Sequence, residues 1–167
     1  MKKVFMLAMV AFMTLAVSQK AQAIEDPNPK GTIVIGVRGG VLPGFGGNVV
    51  ADYTLINSWW KGHFTVGAYA GYNYSHILYN VSNVSVMPRA TYGLNITDKF
   101  EVHAGVMAGY CFRHWHESVV VDPNEHHFAH GELAGVRYMF TDNIGAEAEL
   151  IYTGYMNYFN VGLTFKF

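Results

Sequence analysis

The chain has 167 residues, with 11 Lys and Arg against 12 Asp and Glu, so it lacks the basic excess that nucleic-acid binding needs. Hydrophobic residues make up 51% of it, yet Cys111 is its single cysteine, which excludes a framework of internal disulfides. Stability must therefore come from packing or from a membrane.

The N-terminus carries an export address. Lys2 and Lys3 form a positive start, Val4 to Val17 is apolar, and "AQA" at Ala21 to Ala23 has the small-x-small form that a signal peptidase accepts. Residues 1–23 therefore read as a cleaved signal peptide, because the apolar run falls short of the roughly 20 residues of a spanning helix. No cysteine follows the cleavage site to take a lipid anchor. A short polar leader, 24–30, is expected in the periplasm, and 31–167 form one domain.

Beyond the leader the hydrophobic period is two, that of a strand with unlike faces. In "FEVHAGVMAGYCFR", Phe100, Val102, Ala104, Val106, Ala108, Tyr110 and Phe112 alternate with Glu101, His103, Gly105, Met107, Gly109, Cys111 and Arg113. The split recurs in "NIGAEAELIYT", and again in "FNVGLTFKF", where Phe159, Val161, Leu163, Phe165 and Phe167 share one face. Taken in chain order, the segments are 31–41, 46–57, 63–74, 83–96, 100–113, 128–140, 144–153 and 157–167. Eight strands of this length suit a tilted, closed antiparallel transmembrane β-barrel, whose even count returns the chain to the side where it began.

The connections sort by length. "INSWWKG", "NITDKF" and "MFTDNI" are expected as short periplasmic turns, and "NYSHILYNVS" and "HWHESVVVDPNEHH" as outward loops. Thr97-Asp98-Lys99-Phe100 and Thr141-Asp142-Asn143-Ile144 echo one another. Pro88 lacks an N–H to give to a ladder, so a bulge or an early strand end is expected there.

Charge placement separates a membrane barrel from a soluble one. With the apolar faces outward, Arg38, Asp52, Arg89, Glu101, His103, Arg137, Glu147, Glu149 and Lys166 point inward, and the outward parity holds no charge. A soluble barrel has the opposite polarity. Tyr72, Tyr74, Tyr110, Phe112, Tyr152 and Phe159 then fall near the outer rim. Trp59, Trp60, Phe64, Tyr92, Phe100, Tyr138, Phe140, Phe165 and Phe167 fall near the inner one, as two girdles at headgroup level.

The signal peptide, the eight amphipathic strands and the terminal "NVGLTFKF" resemble the small outer-membrane β-barrels of Gram-negative bacteria, the OmpA-type transmembrane domain and OmpX among them. The resemblance implies a location in the outer membrane, lipid as the surrounding partner, and a porin-like architecture without one shared activity. It also implies that Phe159, Val161, Leu163, Phe165 and Phe167 form the assembly signal read by the barrel-assembly machinery.

Function is carried less clearly. An eight-stranded barrel is only wide enough for side chains to fill it, so Arg38, Asp52, Arg89, Glu101, Arg137, Glu147, Glu149 and Lys166 are expected as a lumen ion-pair network, plugged further by Met87, Met107, Tyr69 and Ile151. The alternative is a narrow pore. His114, His116, His126, His127 and His130 are the candidate metal ligands, with Glu117, Asp122 and Glu125 nearby, but their spacing matches no strict motif. The His-x-Ser triplet of lipid A deacylases occurs at His116, Glu117 and Ser118, but Val119 stands where that family has Asn. The expectation is a non-enzymatic monomer with no cofactor, serving envelope structure or loop-mediated surface interaction. The rival class is a surface adhesin, which predicts a structured protrusion beyond residue 113.

Overall fold

The computed structural model describes residues 27–41, 44–59, 62–76, 80–116, 124–153 and 158–167. The expected signal peptide lies outside the described residues, as do Trp60, Glu117, Ser118 and Asp122. Eight antiparallel strands close into a barrel in sequence order: β1 Ile33–Val41, β2 Phe45–Trp59, β3 Gly62–Ser75, β4 Val81–Asn95, β5 Phe100–Trp115, β6 Asn124–Met139, β7 Ile144–Tyr152 and β8 Phe159–Lys166. The seam is the β1–β8 ladder, running from Val34↔Lys166 to Val41↔Phe159.

Period-two patterning is realised as two chemically distinct surfaces. Val37, Val49, Val66, Val86, Val106, Leu150, Val161 and Leu163 are all exposed on the outside, while Arg38, Asp52, Arg89, Glu101, Arg137, Glu147 and Glu149 are buried. This is an inverted protein, apolar without and charged within, and only a bilayer makes that arrangement favourable. Tyr72, Tyr110, Phe112, Tyr152 and Phe159 are exposed at one end, and Tyr138, Phe140 and Phe167 at the other.

Pro88 brings neither a bulge nor a strand end, contrary to the sequence expectation. It pairs with Ala68 on β3. On the other side the β4–β5 ladder skips Met87 and Pro88, running from Val86↔Tyr110 to Arg89↔Met107 without a change of register. The missing N–H is absorbed as a two-residue gap in one ladder. The irregularity lies instead in β2, where the register to β3 shifts between Thr54 and Ile56 and again before Trp59. Leu55 and Ile56 consequently both face outward.

The two echoing turns are built alike. Thr97 Oγ1 accepts from the Lys99 and Phe100 amides, and Thr141 Oγ1 accepts from those of Asn143 and Ile144. In each, the preceding residue's amide, Ile96 or Phe140, donates to the carbonyl that reopens the ladder. A Ser/Thr side chain closing its own turn is the physical basis of the repeat.

Strand lengths are unequal, and this shapes the molecule. β1, β7 and β8 have 9, 9 and 8 residues, whereas β2 to β6 have 15, 14, 15, 16 and 16. β2 carries its surplus inward, running to Trp59 past its last β1 pair at Tyr53, while the surplus of β3 to β6 projects from the outer end as a four-stranded sheet. β6 pairs with β7 only from Glu132↔Tyr152 inward. Outward of that pair no described residue pairs with β6 on its β7 side. β5 runs two residues beyond 113, to Trp115, and residues 117–123, which follow it, lie outside the described residues.

Candidate functional site: the packed lumen and the projecting sheet

The lumen is layered. Followed outward along β2, β4, β5, β6 and β7, the inward-facing side chains change from charged to apolar, whereas on β1 Val34 lies inward of Arg38: Asp52 is followed by Val50 on β2, Arg89 by Met87 on β4, and Glu101 and His103 by Met107 on β5. The order is Arg137 then Leu133 on β6, and Glu147, Glu149, then Ile151 on β7. Val50, Tyr69, Met87, Met107, Leu133 and Ile151 thus pack as an apolar plug outward of an ionic layer. Met87, Met107, Tyr69 and Ile151 are all at most 3% exposed.

Within the ionic layer, Arg38 Nη1 lies 2.6 Å from Glu149 and 2.9 Å from Glu147. Arg137 donates to Glu147 at 2.6 Å through Nη2 and to Glu101 at 3.0 Å through Nη1. Arg89 meets Glu149 at 2.7 Å and Asp52 at 3.2 Å. Every carboxylate here touches a guanidinium, which is the condition under which charge tolerates burial. Arg38 Nε donates to Asn48, whose amide donates to Asn160, carrying the network to the foot of the plug.

Lys166 stands apart from these pairs. It is half-buried, and its Nζ donates to the Pro27 carbonyl at 3.3 Å. The sequence counted it as a lumen cation because it has inward parity, but it is the last residue of β8 and reaches only the inner mouth.

Two histidines extend the network. His103 lies between Glu101 (3.4 Å) and Glu149 (3.2 Å), and His63 lies 3.6 Å from Glu101. Glycine opposite each ring makes the room: a Cβ at Gly135 would sit 2.5 Å from His103 Nε2, and one at Gly93 the same distance from His63 Nε2. His63 has inward parity in the sequence, and that parity was the signal that could have singled it out.

The leader is part of the site too. Gly31, at φ 98°, turns the chain at the inner mouth, a conformation that favours glycine. Asn28 is buried there and donates to Glu101 Oε2 at 2.9 Å. The mouth is left with a shallow cavity lined by Pro27, Asn28, Glu101, Arg137, Met139 and Lys166.

On the projecting sheet, His127 and Arg113 face the inner side. Arg113 donates to Asn83 at 3.0 Å and lies over the Trp115 ring. His127 bonds Glu125 at 3.0 Å. That bond holds the Glu125 carboxyl below its usual range. His114, His116, His126 and His130 are exposed. His114 and His116 are in contact, with ring centroids 4.8 Å apart, while His126 packs on Phe112 instead. Among the described residues no three His, Cys, Asp or Glu side chains are grouped to hold a metal ion.

Glu132 corrects the expectation that the outward parity is free of charge. It is exposed on β6 opposite Val106 and Tyr152. It stands at the last β6–β7 pair beside Tyr152, and an acidic side chain on the lipid face costs less than a basic one.

No family model matches the chain, and no curated protein matches it by sequence. Its fold matches solved structures. The attachment invasion locus protein Ail of Yersinia pestis superposes with a TM-score of 0.56 at 13% identity, covering 83% of this chain and 100% of that one. Neisserial surface protein A gives 0.54 at 16%, covering 81% and 95%. The N-terminal β-barrel domain of Pseudomonas aeruginosa OprF gives 0.53 at 16%, covering 83% and 98%. The fold is that of the small bacterial outer-membrane β-barrels.

Proposed function

We propose that this is a non-enzymatic integral protein of the bacterial outer membrane, closed to solutes by its plug, which presents the projecting β3–β6 sheet as a surface-binding element. One observation carries the reading: among the described residues, none pairs with the outer part of β6, residues 124–131, on its β7 side. Phe140 N bonds Ile144 O, whereas Met139 N bonds Lys99 O, so even-numbered β6 residues turn their amides toward the β7 side. Outward of Tyr152, the amides of His126, Phe128 and His130 therefore line that side. Such an edge accepts an extended segment by strand addition, with backbone bonds giving affinity and flanking side chains giving selectivity. The likeness in fold to a protein named for attachment and invasion supports this reading.

The test uses proline. Phe128→Pro removes an edge donor while leaving the β5 ladder intact, because residue 128 does not donate to β5. Cells displaying the wild-type barrel should adhere to cultured epithelial cells, and the Phe128→Pro variant should fold equally well but adhere several-fold less. Equal adhesion by the variant and the wild type removes the edge from the reading.

A further inference from the structure

Residues 27–32 precede the first strand, yet they are fixed to four others. Thr32 N donates to the Pro29 carbonyl at 3.0 Å, and Gly31 takes the third position of that turn at φ 98°, where a type II turn needs a positive angle. The turn sends Pro27 and Asn28 back into the inner mouth of the barrel.

The contacts are spread around the lumen. Gly31 N donates to Thr54 O at 3.0 Å and Thr54 N to Thr32 O at 2.9 Å, which fixes the segment to β2. Asn28, only 6% exposed, donates through Nδ2 to Glu101 Oε2 on β5 at 2.9 Å, and the same nitrogen lies 3.4 Å from His63 Nε2 on β3. From β8, Lys166 Nζ donates to the Pro27 carbonyl at 3.3 Å. Glu101 also receives Arg137 Nη1 on both oxygens, at 3.0 and 3.1 Å. The Asn28 carboxamide therefore adds a hydrogen bond to the ionic layer without adding a charge.

These partners meet only in the closed barrel. β2 and β8 flank β1 there, but before the seam forms β1 and β8 are the opposite edges of one open sheet. Lys166 is then remote from Pro27, and His63 and Glu101 do not converge on one mouth. A segment that binds the closed form and not the open one stabilises closure by its own docking free energy, and its tether makes the docking intramolecular. The seam is where this support acts: β8 has only 8 residues, and the Ile33 and Phe167 pair at its inner end follows directly on Thr32.

We propose that residues 27–32 form a latch, which docks on the closed barrel alone, locks the inner end of the β1–β8 seam and covers the ionic layer at its mouth. The latch must leave before the seam can part.

Two readouts on the refolded chain in detergent micelles test this. Lys30 is exposed within the turn, but trypsin cuts only a segment that has left its hydrogen bonds, so cleavage after Lys30 reports latch opening. Amide exchange of Ile33 and Phe167 reports the seam, and exchange in the β4–β5 ladder reports the rest of the barrel. Asn28→Ala should raise Lys30 cleavage and the exchange of Ile33 and Phe167 about tenfold, leaving the β4–β5 ladder unmoved. Lys166→Met, at the edge of the mouth, should shift both readouts in the same direction, and it carries the test if Asn28→Ala does not assemble. The proposal is overturned if the variants are cut after Lys30 at the wild-type rate, or if cleavage accelerates without the seam amides. It is also overturned if the β4–β5 amides accelerate equally, which would make the segment a contributor to global stability and not a lock on the seam.

Discussion

Phe167 and Ile33 exchange both of their backbone hydrogen bonds, Ile33 N to Phe167 O at 3.0 Å and Phe167 N to Ile33 O at 2.9 Å. The pair closes the inner end of the β1–β8 seam, the last ladder a barrel must form. Phe167 is 72% exposed, with its ring at the inner girdle. Seam closure and lipid-interface anchoring thus meet in one residue, which gives physical content to the proposal that this strand is the assembly signal.

Replacing Phe165 and Phe167 together with Ala should leave the backbone pairs possible but remove the aromatic anchors. The expected result is a several-fold loss of heat-modifiable protein in membranes, with unassembled chain accumulating in the periplasm. Undiminished assembly would separate the aromatic rings from the signal.

Arg137 bridges Glu101 and Glu147, so removing it takes from Glu101 its guanidinium partner and leaves Glu147 with Arg38. Arg137→Met should destabilise the barrel by about 3–5 kcal/mol, the usual cost of orphaning a buried charge. Arg137→Met combined with Glu147→Leu should recover part of that loss. Equilibrium unfolding by denaturant in vesicles measures both.

Leu133 is fully enclosed at the centre of the plug. Leu133→Ala should cost about 2–5 kcal/mol through lost contacts and the cavity left behind. Outward on the next strand, Val106→Arg should cost about 2–4 kcal/mol by placing charge against hydrocarbon. Unfolding free energies unaffected by Val106→Arg would contradict the lipid-facing assignment of β5.

The Glu125 carboxyl, held low by His127, contributes stability above its ordinary pKa that is lost as the pH falls through its lowered value. Amide exchange at the outer ends of β5 and β6 should accelerate in that acid range, while exchange around Leu133 remains slow. His127→Ala should remove the step.

Parity was legible in the sequence because a bilayer enforces it on every lipid-facing residue, and it assigned Arg38, Asp52, Arg89, Glu101, Arg137, Glu147 and Glu149 to the inside. Above the membrane both faces of a strand are wet and the alternation fades. That is why β6 reads as starting at Phe128, whereas it starts at Asn124. That no described residue pairs with the outer part of β6 on its β7 side was invisible for a different reason: it arises from strands of unequal length meeting in one register, a long-range property that no local pattern carries. The layering of the lumen was in view, since Arg137, Leu133 and Ala129 follow one another on one parity, but parity alone sorts inside from outside and not one depth from another. Asn28 lay hidden in a leader with no periodicity.

The central claim, a lumen sealed by an ionic layer and an apolar plug, is tested most directly by single-channel recording of the refolded chain in planar bilayers, once heat-modifiable migration confirms insertion. An inserted barrel that remains electrically silent is the predicted result. Steady ohmic conductance from the wild-type chain would contradict it, for a continuous water path cannot coexist with the packed Met87, Leu133 and Ile151.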